Sequence, residues 1–130
     1  VKVPKAGQGI EKNSILLMPA DFIFDYKENK VVKLIPNKDQ HGPQPSINKT
    51  MKALSKAYGD DVLAVLLTGM GEDGVEGLKE IKEAGGYILA QDPKTAVVSS
   101  MPQTAIDREL VDEVLDPEEI TERIIELTLN

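Results

Sequence analysis

Two hydrophobic periodicities alternate along this chain. Residues 62–67 (Val-Leu-Ala-Val-Leu-Leu) form an unbroken apolar run, the pattern of a parallel strand buried on both faces. Residues 75–84 then change to helical spacing, with Leu78 and Ile81 on one face and charges on the other, and Gly85-Gly86 stops them. Residues 87–90 (Tyr-Ile-Leu-Ala) return to a short buried strand, ended by Gln91-Asp92-Pro93. Strand, helix and strand with a glycine-rich first turn predict a right-handed βαβ unit.

The flanking segments fill out the pattern. Residues 1–12 read as an entry loop, and the apolar run 14–18 as a short strand stopped by Pro19. Residues 22–26 and 31–35 predict a β-hairpin across the turn Lys27-Glu28-Asn29-Lys30. Residues 36–45 form a proline-rich loop holding the only histidine, His41. Ser46 caps a helix whose apolar face is Ile47, Met51, Leu54 and Tyr58, with Lys49, Lys52 and Lys56 opposite and Gly59 at the end. Residues 95–100 have no clear pattern. Met101-Pro102 starts a helix through Glu109, and residues 111–115 alternate as an edge strand does. Asp116-Pro117-Glu118-Glu119 is a capping-box start for a last helix with Ile120, Ile124, Ile125 and Leu127 inward.

The segment Leu66-Leu67-Thr68-Gly69-Met70-Gly71-Glu72-Asp73-Gly74 joins the central strand to its helix. Ligands of open parallel sheets bind at such strand-to-helix turns. Three readings stand side by side. Gly69-x-Gly71-x-x-Gly74, with Asp92 after the next strand, fits a nucleotide-binding fingerprint, although the charge of Asp73 would repel a pyrophosphate there. The glycines also suit a plain tight turn in which Asp73 caps the helix. The third reading is a triad carboxylate that orients a histidine, with a neighbouring backbone N–H as oxyanion donor.

Composition narrows the class. The chain has 130 residues with 41% hydrophobic, which predicts one domain with a sizeable core, and only three Tyr and two Phe make that core aliphatic. Twenty-two acidic against 15 basic residues give a net charge of −7, which argues against nucleic acid or an anionic membrane as partner and fits a cytoplasmic protein. The absence of cysteine excludes a disulfide framework, a zinc-thiolate site and a cysteine nucleophile. No cofactor and no metal site are expected.

Thr68-Gly69-Met70-Gly71-Glu72-Asp73-Gly74-x-x-Gly77-Leu78 resembles the signature of the chemotaxis protein-glutamate methylesterase family. Pro45-Ser46-Ile47, Ala84-Gly85-Gly86, Ala90-Gln91-Asp92 and Val97-Val98-x-x-Met101-Pro102-x-x-Ala105-Ile106 follow in the family's order, so that the likeness runs from about Gln8 to Leu127. It implies a doubly wound, Rossmann-like, three-layer α/β fold, with a mainly parallel sheet and a β-hairpin. It implies hydrolysis of glutamate methyl esters on the cytoplasmic segment of chemoreceptors, and in some members deamidation of glutamine. Asp73 matches the triad aspartate and Met70 the residue of the oxyanion site. The family's serine and histidine precede the region that matches. Ser99 and Ser100 read as turn residues, His41 as a loop histidine, and Asn48 stands where the family often has Asp. Residues 1–130 are therefore expected to be the C-terminal part of the domain, without its first strand-helix segment and inactive alone. An open sheet edge is expected where that segment would pair, with a homodimer across it and a receiver domain left open as partners.

Overall fold

The computed structural model describes residues 1–26, 32–38 and 41–129. Its first regular element is the expected hairpin: β1 (Phe22–Tyr26) pairs antiparallel with β2 (Val32–Pro36), Phe24 opposite Leu34. The turn expected at 27–30 lies outside the described residues. Phe24 and Leu34 are buried with Ala53, and Met18, Tyr26 and Ala57 pack around them. The strand expected at 14–18 is absent. Leu16 makes a single bridge to Lys2, while Ile15 and Leu17 are exposed. Leu16 and Met18 pack on the hairpin cluster, so one face is covered, but a single bridge does not give the run the ladder that a full strand needs.

Helix α1 (Ile47–Tyr58) starts at Ser46, whose side chain accepts from the Lys49 N–H, and ends at Gly59 with φ of 56°. A 3₁₀ turn (Gly59–Asp61) leads into β3 (Leu63–Leu66), followed by α2 (Val75–Glu83) and β4 (Tyr87–Gln91). Then come α3 (Ser100–Asp107), β5 (Glu113–Leu115) and α4 (Pro117–Thr128). Strands β3, β4 and β5 lie parallel in that order, Ala64 beside Ile88 and Ala90 beside Val114.

Strand β4 occupies the middle. Ile88, Leu89 and Ala90 are each 0% exposed. Successive residues of a strand point to opposite faces, so both faces of the sheet are covered. Ile88 and Ala90 join Val75, Leu78 and Ile81 of α2 and Met101 and Ala105 of α3 in one cluster. Helix α4 packs on β4 and β5, and Asp116 and Glu119 complete its expected capping box. Strand β5 is two residues shorter at its start than the alternation 111–115 suggested, because Asp112 serves the sheet differently. Its carboxylate and its backbone N–H bond the N–H and C=O of Ile88.

The apolar stripe of α1 is less buried than its periodicity suggested. Tyr58 is 43% exposed, and the helix's buried residues are Ala53 and Ser55. The cause is the open outer edge of β3. Ile47, Met51 and Leu54 face an apolar groove of about 310 Å³ that Leu63, Ala64 and Val65 also line. In α4 the expected apolar face is only partly inward: Ile120 is buried but Ile125 is 51% exposed, and α3 ends at Asp107 rather than Glu109.

Candidate functional site

The glycine-rich turn leaves the carboxyl end of β3 and runs over the start of α2. Asp73 sits half-buried on it. Its carboxylate does not cap its own helix. Oδ2 accepts from the Ile47 N–H at 2.8 Å and Oδ1 from the Asn48 N–H at 3.2 Å. These are the first two N–H groups of α1, so Asp73 caps the neighbouring helix at its positive end. Helix α2 starts at Gly74, which has no side chain to cap with. Asn48 fills that role across the gap: its Oδ1 accepts from Gly74 N–H at 2.9 Å and Gly77 N–H at 2.8 Å. Helix α2 is thus capped by a residue of α1, and α1 by a residue of the turn that leads into α2.

Glycine is required where α1 and α2 touch. Gly74 has φ of 106°, and a Cβ there would stand 3.1 Å from the Ile47 Cγ2. A Cβ on Gly77 would stand 2.7 Å from Met51 Cβ. These are helix–helix contacts, not an empty cradle. The donors that a phosphate would need at Gly74 and Gly77 already hold Asn48, so a pyrophosphate would have to displace it. Asp92, the carboxylate of the nucleotide reading, accepts from the Lys94 N–H at 2.9 Å, in a local turn.

Before Asp73 the same turn is stitched to the segment 95–101. The Thr68 hydroxyl accepts from Val98 N–H at 2.9 Å and donates to Val98 C=O at 3.1 Å. Gly69 N–H donates to the same carbonyl, and Met101 N–H donates to Gly69 C=O. Ser100 Oγ donates to Gly69 C=O at 3.3 Å; both serines are exposed, but they stand at the start of α3, Ser99 at its N-cap position and Ser100 as its first residue, rather than in a turn. Met70 stands at the tip with 84% of its surface exposed. Among the described residues, no acceptor is recorded for the backbone N–H groups of Met70 and Gly71. The tip can therefore donate to a negative oxygen without giving up an existing bond.

Asp73 and Met70 lie on one turn, as the motif required. His41 stays apart: it is exposed in the loop before α1, and the hydrogen bonds of Asp73 run to Ile47 and Asn48 instead. A carboxylate has about four lone-pair sites and Asp73 uses two, which leaves each oxygen able to accept once more. Two residues carry more of the site than their motif positions suggested, Asn48 and Gln91. The available signal was a polar residue closing an otherwise apolar strand, Tyr87-Ile88-Leu89-Ala90-Gln91.

Among the described residues, no group of three or more His, Cys, Asp or Glu could hold a metal ion, and no helix is long and apolar enough to cross a membrane.

The family model described as CheB methylesterase matches residues 1–124. The chain is similar to the protein-glutamate methylesterase/protein-glutamine glutaminase of Methanococcus maripaludis, 46% identical over 85 residues, covering 65% of this chain and 23% of that protein. A putative protein of the same description in Leptospira interrogans is 33% identical over 130 residues, covering 100% of this chain and 67% of its own length. Against the Pyrococcus abyssi relative, 32% identical, the chain covers 35% of the length, so it spans well under half of most of these relatives. The crystal structure of the Thermotoga maritima CheB methylesterase catalytic domain superposes with a TM-score of 0.88 at 32% identity, covering 98% of this chain and 69% of that one. Sequence along nearly its whole length and fold in common with a solved catalytic domain place this chain in the CheB methylesterase family.

Proposed function

We propose that residues 1–130 form a single α/β unit that supplies two parts of a protein-glutamate methylesterase site. Asp73 is the carboxylate that orients the catalytic histidine, and the turn at Met70 supplies the oxyanion donor. The serine and the histidine come from outside these 130 residues. The observation that supports this reading most is the setting of Asp73. It sits on the turn after β3, which is the edge strand of the sheet and not the central strand its apolar run suggested, and is pinned there by two backbone N–H groups, with one acceptor site free on each oxygen.

The chemistry follows from that setting. A serine hydroxyl attacks the ester carbonyl while the histidine takes its proton. The carbonyl oxygen becomes an oxyanion, which N–H groups at the Met70 turn stabilise. The histidine returns the proton to the departing methanol, and water repeats the sequence on the acyl-serine. Asp73 holds the imidazole in the right tautomer and stabilises its cation. The substrate is a methyl-esterified glutamate on a chemoreceptor's cytoplasmic segment, and in the same site a glutamine amide can be hydrolysed. The protein works in the cytoplasm, within phosphorelay-controlled chemotaxis signalling, and a receiver domain in the longer protein is the fitting regulator.

The open edge of β3 and its 310 Å³ groove are where the segment carrying serine and histidine seats. A second copy pairing across the same edge is the competing occupant, and a concentration-dependent dimer in size-exclusion chromatography would identify it. The function itself is tested by methanol release from a peptide carrying a glutamate γ-methyl ester. The chain alone is expected to release none above background. Joined to the preceding segment of a family member, it is expected to turn over. Turnover by the 130 residues alone, or none from the joined protein when folded, would contradict the proposal.

A further inference from the structure

Gln91 is a buried polar side chain that the chemistry above does not use. It ends β4, the most buried strand, and is 6% exposed. A buried amide without partners costs about 1–3 kcal/mol, so its bonds define what it does. Oε1 accepts from the Thr68 N–H at 2.8 Å, on the glycine turn. Nε2 donates to Thr95 C=O and to Thr95 Oγ1, both at 3.2 Å, on the loop after β4. Thr95 is itself anchored, its hydroxyl donating to Asp92 C=O at 2.8 Å.

Two loops at the carboxyl end of the sheet are therefore tied to one side chain. Thr68 is gripped by Gln91 at its N–H and by Val98 at its hydroxyl. Gly69 is gripped by Val98 and Met101, and a Cβ on it would collide with the Met101 Cε. The next residue is Met70, which has no such hold and projects into solvent. The direction of its N–H is set by the peptide planes just before it, which are restrained in this way.

We infer that Gln91 is a positioning residue: through Thr68 it fixes the backbone whose Met70 and Gly71 N–H groups face the reacting carbonyl. The inference deepens the proposed function and rests on it for its catalytic meaning, but its structural half can be read without any hydrolysis. An apolar residue would fill the strand end equally well and would leave the Thr68 N–H without its acceptor. A neutral carboxamide offers an acceptor to one loop and two donors to the other, and Gln does so with one methylene more reach than Asn.

The test compares amide NMR spectra and hydrogen exchange of the chain with those of Gln91→Met and Gln91→Glu. Gln91→Met keeps the volume and removes all three bonds. It is expected to shift the Met70 and Gly71 cross-peaks and to speed exchange at Thr68 N–H at least tenfold, with Leu78 and Ile81 of α2 unchanged. Gln91→Glu is expected to restore the native cross-peaks at low pH, where the protonated carboxyl offers an acceptor and a donor. When the carboxyl ionises it still accepts from Thr68 N–H but faces Thr95 C=O without a proton, so the Thr95 and Ala96 cross-peaks are expected to move with pH. Met70 and Gly71 cross-peaks that superpose on the parent in Gln91→Met overturn the assignment. If Gln91→Met does not fold, Thr95→Val cuts two bonds outside β4, the one from Gln91 Nε2 and the one to Asp92 C=O, and is read on the same two cross-peaks. Movement there supports the assignment and no movement overturns it. In the joined, active protein, Gln91→Met is expected to lower kcat about 10- to 100-fold, below the ~10²–10³ of losing an oxyanion donor outright, with KM within about twofold. An equal rise in KM would assign Gln91 to binding instead and overturn the positioning role. A joined protein without turnover, beside the expected NMR changes, would sink the hydrolase reading and leave the backbone role standing.

Discussion

Replacing Asn48 by Ala removes an acceptor on which two N–H groups depend. Gly74 and Gly77 are buried, and both donate to Asn48 Oδ1 at 2.8–2.9 Å. Stranding a buried donor costs about 1–3 kcal/mol, and water entering beside the short side chain brings each to the lower half of that range. Two donors together then lose about 2–4 kcal/mol by the same measure. Ala is the better helix former by about 0.6 kcal/mol, which offsets part of the loss. The net expectation is a destabilisation of about 1.5–3.5 kcal/mol. With an unfolding entropy near 2.1 cal/mol/K per residue, Tm falls by roughly 6–13 °C. Urea denaturation followed by far-UV circular dichroism gives the free energy, and a thermal scan gives the shift. Asn48→Asp retains the acceptor and is expected to lose much less. If Asn48→Ala stays within about 0.5 kcal/mol of the parent, the reciprocal capping is not holding α1 and α2 together.

Further outcomes can be checked in the same chain. Gly77→Ala places a Cβ 2.7 Å from Met51 Cβ and 3.1 Å from Asn48 Cα, so α1 and α2 must part; a loss of about 1–3 kcal/mol in urea is expected despite the gain in helix propensity. Leu78→Ala, at a side chain 0% exposed, is expected to cost about 2–5 kcal/mol by the same denaturation. The Arg123 hydrogen bond, aided by Tyr87 and opposed by burial, holds the Glu113 carboxyl below its ordinary value of 4.5. That stabilisation is complete above the unfolded carboxylate's range and fades as pH falls through the lowered native value; Glu113→Gln should remove this part of the acid dependence of Tm. NAD, NADP and ATP are expected to leave Tm unchanged in a thermal-shift assay, and a saturable rise with any of them would return the turn to the nucleotide reading.

The sheet was legible because its signal is local. Continuous apolar runs at β3 and β4, glycine stops and the Asp116 capping box are written in neighbouring residues. The strand expected at 14–18 failed because an apolar run becomes a strand only beside a partner that pairs along its length, and that partner does not lie in its own sequence. Asp73 showed the same limit at the site. Position and charge pointed to a cap or a functional carboxylate, but its cap partner lies 25 residues upstream, in α1. No local pattern reports that Asn48 caps α2 while Asp73 caps α1. Gln91 could be suspected only as a polar residue on a buried strand, since its partners Thr68 and Thr95 meet it through the fold.

The most direct test of the account is the effect of Asp73→Asn on methyl ester hydrolysis by the protein joined to its serine- and histidine-bearing segment. An amide in place of the carboxylate cannot hold the imidazole in the same tautomer, and kcat is expected to fall by about 10⁴ with KM little changed. A variant that keeps its fold and loses less than about tenfold would mean that Asp73 serves only to cap α1.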